Sequence, residues 1–217
     1  MCNVLDVAWI ICPRTPPQPI LACSGCGTTR RFRSSGKLRL NANGKALDGW
    51  LIYRCVQCDQ TWNRSILRRK KLREIEPAML LALQASEPAL VRSIEFDVPG
   101  LRQITGSVEQ FSDATVRKVI RSATGRPWSQ VKISLTVVQP SSLRLDRMLA
   151  SQLGRSRTQI HALAASGHLR VSGGGERSLK RAVQDGTCIT IALSGIEQAD
   201  ALAQAAMTCC SDMAQRP

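Results

Sequence analysis

Aromatic residues are scarce: four Trp, three Phe and one Tyr in 217 residues. A surface that grips single strands by stacking base after base needs more. Histidine is scarcer, with only His161 and His168, and neither stands at metal-ligand spacing from a cysteine. No apolar run approaches the roughly 20 residues that a membrane span needs. The amino terminus, Met-Cys-Asn-Val-Leu-Asp, lacks a positive segment, and Asp6 interrupts its apolar stretch. No secretory signal is expected, and a cytoplasmic location is. There is no glycine-rich phosphate loop, no Ser/His/Asp set and no close carboxylate pair in a clear motif. A catalytic constellation is therefore not expected.

Acid is short as well: 16 Asp and Glu stand against 30 Lys and Arg, for a net charge of +14. The excess is uneven. Residues 1–73 carry +11, 74–141 are neutral, 142–193 carry +5 and 194–217 carry −2. Two basic blocks flanking a neutral one point to polyanion-facing modules, because a basic face recruits phosphate without reading sequence. The apolar share, 43%, is that of a globular chain.

Nine cysteines are present, at 2, 12, 23, 26, 55, 58, 188, 209 and 210. An odd number argues against a closed disulfide framework and for reduced thiols. Four of them form a pattern, Cys23-Ser-Gly-Cys26-Gly27 and Cys55-Val-Gln-Cys58, with 28 residues between the pairs. Each C-x-x-C turn aims two thiolates at one point, and two such turns face to face make a tetrahedral sulfur site. Gly27 suits the tight turn because it accepts positive φ. The spacer has room for a hairpin: Lys37–Leu40 and Trp50–Tyr53 read as strands around the turn Asn41-Ala-Asn43-Gly44. Paired knuckles on a hairpin are similar to a zinc ribbon. Thiolates suit zinc or iron rather than magnesium or calcium. Four sulfurs close the coordination sphere, so the expected role is structural zinc, one per chain, with iron the alternative. Trp50, Tyr53 and Trp62 surround the second knuckle, either covering a small core or offering a base a flat face.

Along the chain, residues 4–12 read as a strand and Ser65–Arg73, with Arg68, Arg69, Lys70, Lys71 and Arg73, as a basic helix. The middle reads as helical. Pro77 and Pro88 fit first turns, Ser86 is a candidate cap, Pro99-Gly100 breaks the chain, and Ser112 or Asp113 opens a helix through Val116, Val119 and Ile120. Val131, Ile133, Leu135 and Val137 alternate as a strand. Leu145, Met148, Leu149 and Leu153 line one face of a short helix that Gly154 stops. Ser156 and Gln159 form a capping box opening a second helix with Ile160, Leu163 and Ala164 inward, ended by Gly167. Leu169 and Val171 begin a small sheet that Val183, Ile189 and Ile191 complete. Residues 194–217, with Cys209-Cys210, read as a frayed tail.

The segment 144–191 resembles the alpha-L RNA-binding motif, the module named after ribosomal small-subunit protein four. The resemblance rests on Arg144-Leu-Asp146-Arg147-Met-Leu149-Ala150, Ser156-Arg157, Gly167-His-Leu169-Arg-Val171 and Val183-Gln-Asp-Gly186-Thr-Cys-Ile189 in that order. It implies that Arg157 contacts phosphate from the second helix's N-terminus, that Arg144 and Arg147 flank it, and that Lys180 and Arg181 extend the face. Asp146 would be a structural acid. Two positions depart from the motif: Ser172-Gly173 stands where Asn-Gly is usual, and Thr187 where Asp is usual. Across most of its length the chain also resembles a bacterial family known only as a domain of unknown function. That likeness is carried by Cys23-x-x-Cys26-Gly27, Gly44-Lys45, Asp48–Cys55 and Thr61-Trp62-Asn63.

The expectation is an α+β protein in four parts: a zinc-ribbon-like module with a basic helix (1–73), a helical or mixed linker domain (74–141), an alpha-L-like RNA-binding domain (142–193) and a flexible tail (194–217). The expected function is non-catalytic binding of structured RNA, ribosomal or transfer, with ribosome association. The alternatives are an interaction adaptor using the zinc ribbon and the middle, or an RNA-modifying enzyme whose catalytic part is 74–141. The RNA reading requires the arginines of the helix pair to gather on one face and not be buried against acids.

Overall fold

The structure is a computed structural model and describes residues 3–208. It has mixed helices and sheets and divides into two units: Pro16–Phe111, and the residues up to Thr15 together with those from Ser112. The four-part division by charge does not coincide with them. The first strand, assigned by position to the metal module, lies in the other unit, and 74–141 is cut at residue 111.

In the split unit, β1 (Val4–Pro13), β7 (Ala114–Ala123), β8 (Gln130–Val137), β9 (Leu169–Val171) and β10 (Cys188–Ala192) form one sheet in the order β7-β1-β8-β10-β9. β1 runs parallel to β8 and antiparallel to β7. The chain leaves β1 and re-enters β7 side by side: Arg14 N–H donates to Asp113 O at 3.0 Å and Thr15 Oγ to Asp113 Oδ2 at 2.7 Å. The other unit is thus inserted where a β1–β7 hairpin turn would stand. Leu5, Val7, Trp9 and Ile11 alternate onto the core face, with Val131, Ile133, Leu135, Ile189 and Ile191 beside them. Against them pack α4 (Leu145–Leu153), α5 (Arg157–Ala165) and α6 (Ala199–Met207). Gly154 caps α4 in the left-handed region and the Ser156–Gln159 capping box opens α5, as expected.

Two expectations fail in this unit. Val116, Val119 and Ile120 lie on β7, not on a helix. The run is rich in β-branched residues, which favour a strand, and on this edge strand both Val119 and Ile120 remain exposed. The chain beyond residue 194 is not all tail, because α6 buries Leu202, Ala203 and Ala206. Cys2, Cys209 and Cys210 lie outside the described residues.

In the inserted unit, β2 (Gln18–Cys23), β3 (Thr28–Asn43), β4 (Ala46–Cys55), β5 (Thr61–Lys71) and β6 (Ser107–Glu109) form a sheet in the order β5-β4-β3-β2-β6. The expected hairpin is present, with Leu38 opposite Leu51 and Arg39 opposite Trp50. Helices α1 (Pro77–Ala85), α2 (Pro88–Glu95) and α3 (Val98–Thr105) accompany it. The basic stretch is not a helix: it is edge strand β5 followed by a 3-10 turn, Leu72–Glu74. Pairing with β4 overrides local propensity, and a cation-rich edge resists further strand addition. Pro99-Gly100 opens α3 instead of breaking the chain, since a first-turn Pro needs no N–H partner, and Asp97 caps it through Gly100 N–H. Ser86 is the left-handed C-cap of α1, and its hydroxyl accepts from Leu38 N–H at 2.9 Å. Among the described residues no helix is long and apolar enough to cross a membrane.

A buried cation organises the split unit. Lys118 on β7 is 9% exposed and donates from Nζ to the carbonyls of Gln152, Ala205 and Thr208 at 3.1, 2.8 and 2.8 Å. These are end carbonyls of α4 and α6, where helix dipoles favour positive charge. The ammonium also sits 4.9 Å over the Trp9 ring. Lys118→Met strands those carbonyls, and we expect it to lower the unit's unfolding free energy by about 2–4 kcal/mol in urea titration; an unchanged midpoint would contradict the assignment.

Candidate metal centre and basic face

Two hairpin turns of the inserted unit carry the four cysteines. Cys23 ends β2 and Cys26 lies in the β2–β3 turn; Cys55 ends β4 and Cys58 lies in the β4–β5 turn. The turns share one geometry. Gly27 N–H donates to Cys23 O at 2.9 Å and Asp59 N–H to Cys55 O at 3.1 Å. The residue after each second cysteine has positive φ, +68° at Gly27 and +58° at Asp59. Pairing of Phe32 with Cys55 in the β3–β4 ladder brings the turns together.

All four sulfurs lie within 4.8 Å of one another, with Cys23–Cys58 at 3.5 Å and Cys26–Cys55 at 3.9 Å. A tetrahedron with metal–sulfur arms of about 2.3 Å has edges of about 3.8 Å. The cysteines are not in disulfides, and the set fits one thiophilic ion such as zinc. Gly25 belongs to the fit: a Cβ there would stand 3.0 Å from Cys58 Sγ. Burial would raise the Cys55 thiol, but the Cys58 and Gln57 N–H groups and nearby thiols bring it to about 7, whereas in the metal-free set the other thiols push Cys58 up to about 12 and Cys26 is raised as well. The Gln57 N–H lies 3.4 Å from the Cys55 sulfur. Backbone N–H groups that favour thiolate are what a metal ligand needs. Tyr53 and Trp62 pack together with centroids 5.3 Å apart, Tyr53 fully buried in the core with Cys23 and Cys55. Burial pushes the Tyr53 hydroxyl up to about 12.

In the split unit two of the five expected RNA-facing side chains, Arg144 and Arg157, reach Asp146, which has no exposed surface. Its carboxylate accepts from Arg144 at 2.7 and 3.2 Å, from Arg157 at 3.2 and 3.3 Å, and from Arg147 N–H at 2.8 Å. His161 Nε2 lies 3.2 Å from it, with Nδ1 3.8 Å from Glu176. Arg144 and Arg157 therefore gather, but each spends part of its donor set on an acid instead of standing free. Their side chains stay 41% and 56% exposed. Arg147 points its guanidinium elsewhere, to Ser112 Oγ at 3.3 Å. The bridge between Arg144 and Ala182, with Leu145 N–H donating to Arg181 O, places exposed Lys180 and Arg181 next to the start of α4. His168 is engaged at both ring nitrogens, by Ser166 Oγ and Ser194 O.

His161, which has no metal-ligand spacing to a cysteine, belongs to this carboxylate cluster instead. The available signal was its position one helical turn after Arg157 on α5, so that both reach the same acid.

Burial alone would raise the Asp146 carboxyl; the His161 and Arg144 hydrogen bonds, the Arg144 charge and the Arg147 N–H outweigh it and hold it below its ordinary 3.8. A depressed carboxyl contributes stability that is full above the ordinary value and lost as pH falls through the folded value. Asp146→Asn is expected to cost about 1–3 kcal/mol at neutral pH, with the gap from the parent narrowing below pH 3.8 in denaturant titrations. A gap independent of pH would contradict this.

No curated protein matches the chain, and no solved structure does. One family model matches over residues 40–173, a stretch that includes Cys55, Cys58 and the Asp146 cluster but not Cys23 or Cys26. The match spans more than half of the chain, which therefore belongs to the family described as "Protein of unknown function (DUF1062)".

Proposed function

We propose that this is a non-catalytic RNA-binding protein in which one structural zinc fixes the inserted unit and the α4–α5 face of the split unit grips structured RNA, ribosomal or transfer. The observation that carries the RNA reading is the Asp146 cluster. One buried carboxylate faces two half-exposed guanidiniums, so the cluster keeps net positive charge while its donors are held in place. Lys180 and Arg181 add exposed cations beside the same helix start, and Arg147 adds one that is turned toward Ser112. Recognition by phosphate position and shape suits A-form RNA, whose deep groove hides its bases. The likeness to the alpha-L motif agrees in element order: helix, glycine stop, capped helix, short strand. The four-thiol set favours zinc in a closed, structural coordination over a catalytic site. Cytoplasmic location and ribosome association are part of the same proposal.

A second reading, a protein-interaction adaptor, is favoured by one feature of the inserted unit. An apolar cleft of about 380 Å³ is lined by Ile66, Met79, Leu83, Leu90 and Ile94.

Titration of unfractionated transfer RNA by fluorescence anisotropy tests the proposal. Arg147→Ala and Arg157→Ala are each expected to lower affinity several-fold and to reduce the slope of log affinity against log salt by about 1. Binding indifferent to salt, or unchanged when Arg147, Arg157, Lys180 and Arg181 are all neutralised, would overturn it in favour of the adaptor.

A further inference from the structure

The sheet of the inserted unit has a second face, opposite its core. β4 alternates without a break: Leu47, Gly49, Leu51, Tyr53 and Cys55 are buried, while Asp48, Trp50, Ile52 and Arg54 point the other way. Trp50 therefore parts company with Tyr53 and Trp62. It is absent from the core cluster that both of those join, and it is partly exposed in mid-sheet.

Its cross-strand neighbours are polar. The register sets Arg39 on one side of Trp50 and Ser65 on the other, and Arg33 and Thr61 on either side of Arg54. Arg68 Nε donates to Ser65 Oγ at 3.2 Å and so leans over the same rung. The acids nearby are already engaged: Asp48 accepts from Arg69 N–H at 2.8 Å and Asp59 pairs with Arg33 at 3.1 Å. Arg39, Arg54 and Arg68 form no ion pair among the described residues. An indole set among guanidiniums that outnumber the one unpaired carboxylate of this face, Asp48, is complementary to a ligand that joins a flat π-face to negative charge.

We propose that this face binds an unpaired segment of RNA, with one base stacked on Trp50 and adjoining phosphates held by Arg39, Arg54 and Arg68. Trp50 and Arg54 lie four residues apart on β4, about 13 Å, so the segment covers more than one nucleotide. A single stacking residue accords with the low aromatic content, which leaves no room for a long platform. The choice of RNA over another polyanion rests on the function proposed above. The site itself shares no residue with the α4–α5 face, so the two can be tested separately.

The test uses the full chain with two probes, a short fluorescent oligouridine and a blunt RNA duplex. Trp50→Ala and Arg39→Ala are each expected to weaken oligouridine binding about tenfold and to leave duplex binding unchanged. Trp50→Phe should retain most of the affinity. Matching circular dichroism melts establish that the variants fold. Arg157→Ala should do the reverse, weakening the duplex and sparing oligouridine. Oligouridine that does not bind, or binds Trp50→Ala as tightly as the parent, would overturn the inference, as would equal competition by polyglutamate. Loss of duplex binding in the parent, with oligouridine still dependent on Trp50, would overturn only the α4–α5 proposal.

Discussion

Four sulfur atoms meeting at one point are the constraint on which the inserted unit depends. Its buried cluster is small: Cys23, Phe32, Leu51, Tyr53, Cys55, Val91 and Leu101. Two of these seven are candidate ligands, so core and metal centre are one object. Small cores rarely stabilise a sheet by apolar burial alone, and a tetrahedral ion held by the two hairpin turns would supply the missing cross-link. A second tie, Arg64, is 5% exposed and joins β5 to the helices through Ile94 O at 2.6 Å and Asp97 at 2.5 Å. Gly100 leaves the room this tie needs, since a Cβ there would collide with the Asp97 carboxylate.

The split unit solves the same problem differently. Its apolar core is extensive, and its buried charges tie down the ends of the helices that cover it. Lys118 fixes where α4 and α6 end, and Asp146 fixes where α4 and α5 begin. The consequence for function is positional. Arg144 and Arg157 are held as a fork at the surface, at the cost of sharing one carboxylate between them.

Local signals read well where one interaction decides the outcome. The C-x-x-C pairs, the Asn-Gly turn, the Gly154 stop and the Ser156–Gln159 box all depend on residues close in sequence. The failures share a cause, which is that distant pairing chose the structure. Arg68–Lys71 look helical until β4 captures them as an edge strand. Val116–Ile120 have helical spacing, yet they pair with β1, more than a hundred residues earlier. The insertion between β1 and β7 is invisible to charge blocks, because the segments it separates differ in composition but share a sheet. The role of His161 was likewise set by a neighbour on another element, Asp146 on α4.

Metal content of the purified, reduced protein tests the central claim most directly. Elemental analysis should give one zinc per chain, with Cys23→Ser and Cys55→Ser each losing the metal and lowering the Tm of the inserted unit. A metal-free parent whose Tm is indifferent to chelator and to both substitutions would contradict the account.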